Sequence, residues 1–151
     1  MDSIDLKILQ HLKENARAKA SAIGDSIKLS VSAVTERIKK MENEGLIRQY
    51  TVIIDQKKIG NGVSAIMEVA LAHPHYGDNF VNMVMEMPSI VSCDSVTGDF
   101  DYILQIVTDS TDGLEAIYRI VRSFDGVKFT KTHLVLSRVK NEHTIIPTKV
   151  I

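Results

Sequence analysis

Residues 21–47, SAIGDSIKLSVSAVTERIKKMENEGLI, decide the reading of this chain. They present two short helices joined by a tight turn at Lys28-Leu29-Ser30, the second helix basic and cleanly bounded. Ser30 is a good N-cap, and Leu29 and Val34 occupy the two positions of a hydrophobic staple. Gly45 stands where a helix ends on a left-handed residue. Val34, Ile38 and Met41 form an inward face at i, i+4, i+7. The outward face then holds Ser32, Thr35, Glu36, Lys39 and Lys40, with Arg37 at its margin and Ser30 and Ala33 at its start. Hydroxyls and basic groups near the beginning of a helix reach base edges and phosphates, so these eight residues are the predicted DNA contacts. The layout is that of a helix-turn-helix whose second helix enters the major groove. Taken alone, the same face reads equally as a solvated amphipathic surface.

Working outward, Ile4, Ile8 and Leu12, with Leu9 beside them, predict a first helix over about residues 4–14, capped by Asp2 or Ser3. The helix before the turn covers about Lys19 to Ile27 and is weak, because Gly24 inside it costs about 1 kcal/mol against alanine. Ala20 and Gly24, four apart, also suit the close approach of another helix. Residues 47–54 read as a strand and 55–60 as a linker, which makes 1–60 a helix-turn-helix (winged-helix-like) domain and 61–151 a second domain. Lys57 and Lys58 in the linker read as solvated rather than DNA-bound.

Charge separates the two parts. Residues 1–60 carry 11 Lys/Arg and 8 Asp/Glu, a net of +3; residues 61–151 carry 7 and 11, a net of −4. That asymmetry favours a nucleic-acid-facing part and a separate one. Cys93 is the only cysteine, so one chain can build neither a disulfide framework nor a cysteine zinc site. No basic-then-apolar leader and no apolar run near 20 residues is present, which predicts a cytoplasmic protein without a membrane partner.

The second half alternates strand and helix patterns. Strands are predicted at 63–71, 90–97, 102–108 and 127–136. Phe80, Met83, Val84 and Met87 mark one helix, and Leu114, Ile117, Tyr118 and Val121 another, the latter opened by Asp112 and Glu115 as a capping pair. Gly98-Asp99 makes a tight hairpin. The order is β-α-β-β-α-β, an α+β, ferredoxin-like arrangement. Right-handed crossovers put both helices on one face of the sheet. The opposite face is left bare, yet the strands are apolar on both sides, Ile66 and Ala70 alternating with Ala65, Met67 and Val69, and Ile103 and Val107 with Tyr102, Leu104 and Ile106, so sheet-to-sheet dimerisation is predicted. A dimer suits the reader half, since two recognition helices address half-sites about 10 bp apart or a multiple of that.

From residue 2 to 147 the chain resembles the Lrp/AsnC (leucine-responsive, feast/famine) regulators. The resemblance rests on Ile4-Asp5 with Ile8-Leu9, Leu29-Ser30, Arg37, Gly45-Leu46-Ile47 and Tyr50. It rests further on Met87-Pro88 and Ile90, the run from Thr97 to Tyr102, Gly126-Val127, and Thr130-Lys131-Thr132. It implies an N-terminal helix-turn-helix and a C-terminal ferredoxin-like (ACT-like) domain. It implies dimers that assemble further, often to octamers, and a transcription regulator that answers to an amino acid or related small metabolite. It implies an effector site near the glycine hairpin, which on this chain points to Thr97, Gly98, Asp99 and Asp101, with Thr130 and Thr132 from the last strand. Chemically, Asp101 suits an ammonium, the hairpin N–H groups a carboxylate, and threonine hydroxyls either. The alternative is a plain turn in which Asp101 bonds only local backbone. Two positions depart from the family pattern: Lys28 where the turn usually has glycine, and Gly24 where alanine is common. A left-handed lysine costs about 1–2 kcal/mol.

The runner-up function is a ligand-binding and oligomerisation module with little or no DNA binding. An enzyme is disfavoured: Cys93 has no activating histidine in sequence, and no phosphate-cradling glycine loop occurs. No cofactor or metal is expected. His73 and His75 are spaced to share a metal but read more simply as surface, and His11, His133 and His143 show no ligand spacing.

Overall fold

The computed structural model describes residues 1–142 and 144–147. They divide into two compact units: Met1–Ile53 together with the segment from Lys140 onward, and Ile54–Val139. The division falls seven residues before the expected boundary, and the end of the chain groups with the first unit rather than the second.

The first unit contains α1 (Ser3–Glu14), α2 (Ala20–Ile27) and α3 (Val31–Asn43). Asp2 caps α1 through a full capping box with Asp5. Ser30 caps α3, its Oγ accepting from the Ala33 N–H at 3.2 Å. Ile8, Ile23, Val34 and Met41, one or two from each helix, meet in the core, with Ile4, Leu12, Leu29 and Ile38 packed around them. The periodicity that predicted the helices therefore also predicted what they bury. Residues 47–54 do not form the expected strand; they run without regular structure, with Val52, Ile53 and Ile54 exposed. A strand needs a neighbour to take its backbone N–H and C=O groups, and among the described residues of this unit none is formed.

The second unit opens with a single 3-10 turn over Gln56–Ile59 and then runs β1 (Val63–Leu71), α4 (Gly77–Met85), β2 (Ile90–Ser95), β3 (Tyr102–Thr108), α5 (Thr111–Ser123) and β4 (Val127–Leu134). The strand order is β2-β3-β1-β4, every neighbouring pair antiparallel. This is the predicted βαββαβ fold. Ala65, Met67, Val69, Leu104 and Ile106 of the sheet bury against Phe80 and Val84 of α4 and Ile117 and Val121 of α5. Alternation sends Ile66, Glu68, Ile103, Gln105, Val107, Phe129, Lys131 and His133 to the other face. That face mixes apolar and charged groups.

α5 starts differently from expectation. Its cap is Ser110, whose Oγ accepts from the Gly113 N–H at 3.1 Å, while Glu115 pairs with Arg119 at 2.6 Å one turn along. Asp112 remains in the first turn, where its charge favours the helix dipole. Gly126, at φ +99°, turns the chain into β4 directly beneath the Tyr76 ring, and any Cβ there would run into that ring.

Candidate functional site

The reader face is built by α2, the turn and α3. Lys28 holds the left-handed conformation (φ 61°, ψ 48°) and ends α2, with its own N–H and that of Leu29 directed at the Gly24 carbonyl. That turn sets how α3 leaves α2. On α3, Ser32, Glu36, Lys39 and Lys40 are exposed, and Ala33 and Thr35 are half-buried. Thr35 Oγ1 donates to the Val31 carbonyl at 2.8 Å, and the Ser30 and Ser32 hydroxyls lie 3.0 Å apart. Lys40 has only a loose partner, Glu44 at 3.9 Å. Seven of the eight predicted contacts thus share the exposed side and start of one helix.

Arg37, the eighth, is engaged within the unit. Its guanidinium is bound to Asp5 at 2.7 Å and to Asp2 at 2.8 Å, the two residues of the α1 capping box. The Asp5 backbone N–H and then Arg37 hold the Asp2 carboxyl below its usual range, and the two carboxylates, Asp2 foremost, raise the guanidinium. Arg37 lies on α3 but faces α1, so it fastens the recognition helix to the first helix instead of reaching outward. Tyr50 fastens the helix near its C-terminal end: its hydroxyl donates to Glu42 at 2.8 Å, and partial burial followed by that carboxylate pushes the phenol up to about 12.

In the second unit, a shallow cavity of about 580 Å³ opens on the helix-free face beside the hairpin. Thr97 and Asp99, two of the expected effector residues, line it together with Glu68, Ser95, Val96, Phe100 and Ile103. The Phe100 ring extends the apolar wall toward Phe129, centroids 6.0 Å apart. Glu68 meets His133 at 3.2 Å and stands opposite Lys131 in the ladder. A site with two carboxylates, two hydroxyls and an apolar wall suits an ammonium attached to an apolar group.

The other predicted effector residues lie elsewhere. Gly98 supplies the turn at φ +121°. Asp101 Oδ2 accepts from the Leu71 N–H at 2.7 Å, so the carboxylate ties the hairpin to β1 just where the β1–β4 register slips. Thr130 and Thr132 pair with Val69 and Met67 and so face the helices, away from the cavity. Thr130 Oγ1 is buried without a hydrogen-bond partner. The residues that the sequence reading missed are Glu68, Ser95, Val96, Phe100 and Ile103. One signal was available: Glu68 is the only charge inside the strand VSAIMEVAL.

Among the described residues no group of three metal-ligating side chains occurs, and no helix is long and apolar enough to cross a membrane. His143 lies outside the described residues.

Residues 64–145 match the family model of the Lrp/AsnC ligand-binding domain, and residues 1–48 match that of a winged helix-turn-helix DNA-binding domain. The chain is 34% identical over 143 residues to the HTH-type transcriptional regulator LrpC of Bacillus subtilis, covering 95% of this chain and 96% of the relative. Among solved structures it is similar to a transcriptional regulator of Neisseria meningitidis in complex with L-methionine: TM-score 0.91, 27% identity, 96% of each chain covered. It is also similar to the feast or famine regulatory protein of M. tuberculosis complexed with L-methionine: TM-score 0.89, 27% identity, 97% of this chain and 99% of that one.

Proposed function

The chain belongs to the Lrp/AsnC family of DNA-binding transcription regulators, whose members are not enzymes, and from that premise we propose that it controls transcription in response to an amino acid or closely related metabolite. The observation that carries the reading is the exposed face of α3, where Ser32, Glu36, Lys39 and Lys40 project from a helix braced at its middle by Arg37 and near its end by Glu42. Sequence-specific recognition rests on that face. Lysines supply phosphate attraction, and the short polar groups near the helix start reach base edges.

Effector binding is assigned to the hairpin cavity. Asp99 and Glu68 offer charge to an ammonium, while Val96, Phe100 and Ile103 accept an apolar side chain. Two similar structures hold L-methionine, a ligand of that description. The helix-free sheet face, with Ile66, Ile103, Val107 and Phe129, is the proposed contact between two copies. Pairing the sheets brings two readers to one duplex, and further assembly to an octamer multiplies the half-sites held. An effector that prefers one assembly shifts the population toward it and so changes the spacing of readers. A regulator of this kind works where the DNA is, and a cytoplasmic location goes with it.

The experiment has two arms. A mobility-shift assay on the DNA upstream of the protein's own gene tests the reader: a retarded band that competitor duplex of unrelated sequence does not remove supports it. Absence of any complex at low salt overturns it. Thermal-shift screening against the twenty amino acids tests the sensor, because a ligand that binds only the folded form raises apparent stability. A flat response to all twenty leaves DNA binding standing and removes the amino-acid effector.

A further inference from the structure

The loop that joins β1 to α4 carries the sequence His73-Pro74-His75-Tyr76, and its two imidazoles converge. His75 Nδ1 lies 2.7 Å from His73 Nδ1, with ring centroids 4.6 Å apart. Both side chains are exposed. We propose that His73 and His75 form a bidentate chelate for a borderline divalent transition-metal ion, of which Zn²⁺ is the test case.

The electronic argument starts from the hydrogen bonds. His73 Nδ1 also accepts from the His75 backbone N–H at 3.3 Å, so that nitrogen carries a lone pair. With His73 Nδ1 the acceptor, the 2.7 Å contact is donated by the His75 Nδ1–H. When an ion arrives, that proton passes through water to His75 Nε2, and the two Nδ1 lone pairs, which face each other in the hydrogen bond, swing to meet at the metal. Tetrahedral metal–nitrogen bonds of about 2.0–2.1 Å need the nitrogens about 3.3 Å apart, roughly 0.6 Å more than the 2.7 Å seen. A small turn of two exposed rings supplies that.

The loop is also prearranged. His73 caps a 3-10 turn over Pro74–Tyr76, and the proline ring fixes one backbone dihedral between the two ligands. The Tyr76 N–H closes the turn onto the His73 carbonyl at 3.2 Å. Tyr76 itself is pinned: its ring stacks 4.0 Å from His75 and packs on Gly126 at the start of β4. A loop whose backbone is already fixed around both ligands loses little entropy when the ion arrives. Imidazole-only donors select Zn²⁺, Ni²⁺ or Cu²⁺ over Mg²⁺ and Ca²⁺, which require oxygen. Among the described residues no third protein ligand joins them, so water completes the shell and the site is an open one.

The test uses the untagged full-length protein, because a histidine tag would mask the site. Zn²⁺ is titrated calorimetrically into the wild type, His73→Ala, His75→Ala and, as a control, His133→Ala. One Zn²⁺ per chain is expected. Each single loop variant should weaken it roughly 100-fold, because the second imidazole of a chelate acts at high effective concentration. His133→Ala should bind as the wild type does. Circular dichroism checks that the variants fold, which exposed side chains predict. Absence of wild-type binding, or binding unchanged in both loop variants, overturns the proposal.

Discussion

A Cβ placed on Gly24 would lie 2.5 Å from the Leu29 carbonyl oxygen, a backbone atom that cannot swing away. Gly24 is buried in α2, and its own carbonyl receives the N–H groups of Lys28 and Leu29 as the chain reverses. The glycine that looks like a weak point in the helix is therefore what lets the turn close. Gly24→Ala should destabilise the first unit by about 1–3 kcal/mol, the usual cost of overpacking, despite alanine's better helix propensity. Urea unfolding followed by circular dichroism measures it. A neutral result would mean that the turn opens without cost.

Lys28 is the complementary case. It sits at φ 61° with no glycine to relieve it. Lys28→Gly should stabilise the protein by about 1 kcal/mol, less than the full left-handed penalty because glycine also loosens the unfolded chain. Affinity for DNA measured on the same variant reads any phosphate contact made by the lysine. A salt slope lower by about 1 identifies one.

Arg37 should behave as a brace. Arg37→Gln should lower the unfolding temperature near neutral pH and leave the salt slope of DNA binding unchanged, because the guanidinium is already occupied by Asp2 and Asp5. The pH dependence has a definite sign. Asp2 has a folded value below its ordinary 3.8, so its contribution is fully present above 3.8 and is lost as pH falls through the lower folded value. The gap between wild type and variant should close over that acid range and not on the alkaline side. A gap that persists at the lowest pH would contradict the ion-pair account.

The sequence held the fold because periodicity reports burial directly. Val34, Ile38 and Met41 repeat at helical spacing, and the same residues line the first core. Ala65, Met67 and Val69 repeat at strand spacing and lie in the second. Two things were less legible. Residues 47–54 have strand composition, yet composition cannot say whether a neighbour exists to pair with. The hairpin motif marked the loop beside which a cavity opens, but the side on which each residue falls depends on ladder register. Register divides Glu68 and Ile103 on the cavity side from Thr130 and Thr132 on the helix side. The partners of Arg37 were hidden for a related reason: helical spacing puts it at the margin of the outward face, and only the position of α1 shows what it touches.

If α3 reads DNA as proposed, Lys39 and Lys40 supply the electrostatic part of the contact. Both are exposed, and Lys40 has only its loose Glu44 partner. Each replacement by alanine should weaken binding to all duplexes alike and reduce the slope of log K against log salt by about 1. Ser32→Ala, in contrast, should alter discrimination between sequences more than it alters salt dependence. Titrations at several salt concentrations on cognate and scrambled duplexes separate the two. A wild-type slope that does not change when both lysines are removed would take α3 out of the interface.

Asp101 distinguishes a structural carboxylate from a ligand-binding one. Its Oδ2 receives the Leu71 N–H at 2.7 Å, a contact that an amide oxygen can replace but a methyl group cannot. Asp101→Asn should therefore keep the stability of the wild type, and Asp101→Ala should lose about 0.5–1.5 kcal/mol, the ordinary worth of one hydrogen bond. If the hairpin cavity alone holds the effector's ammonium, Asp101→Asn should keep the ligand-induced thermal shift, whereas Asp99→Asn and Glu68→Gln should each reduce it. A shift abolished by Asp101→Asn at unchanged stability would move the ammonium from the cavity to Asp101.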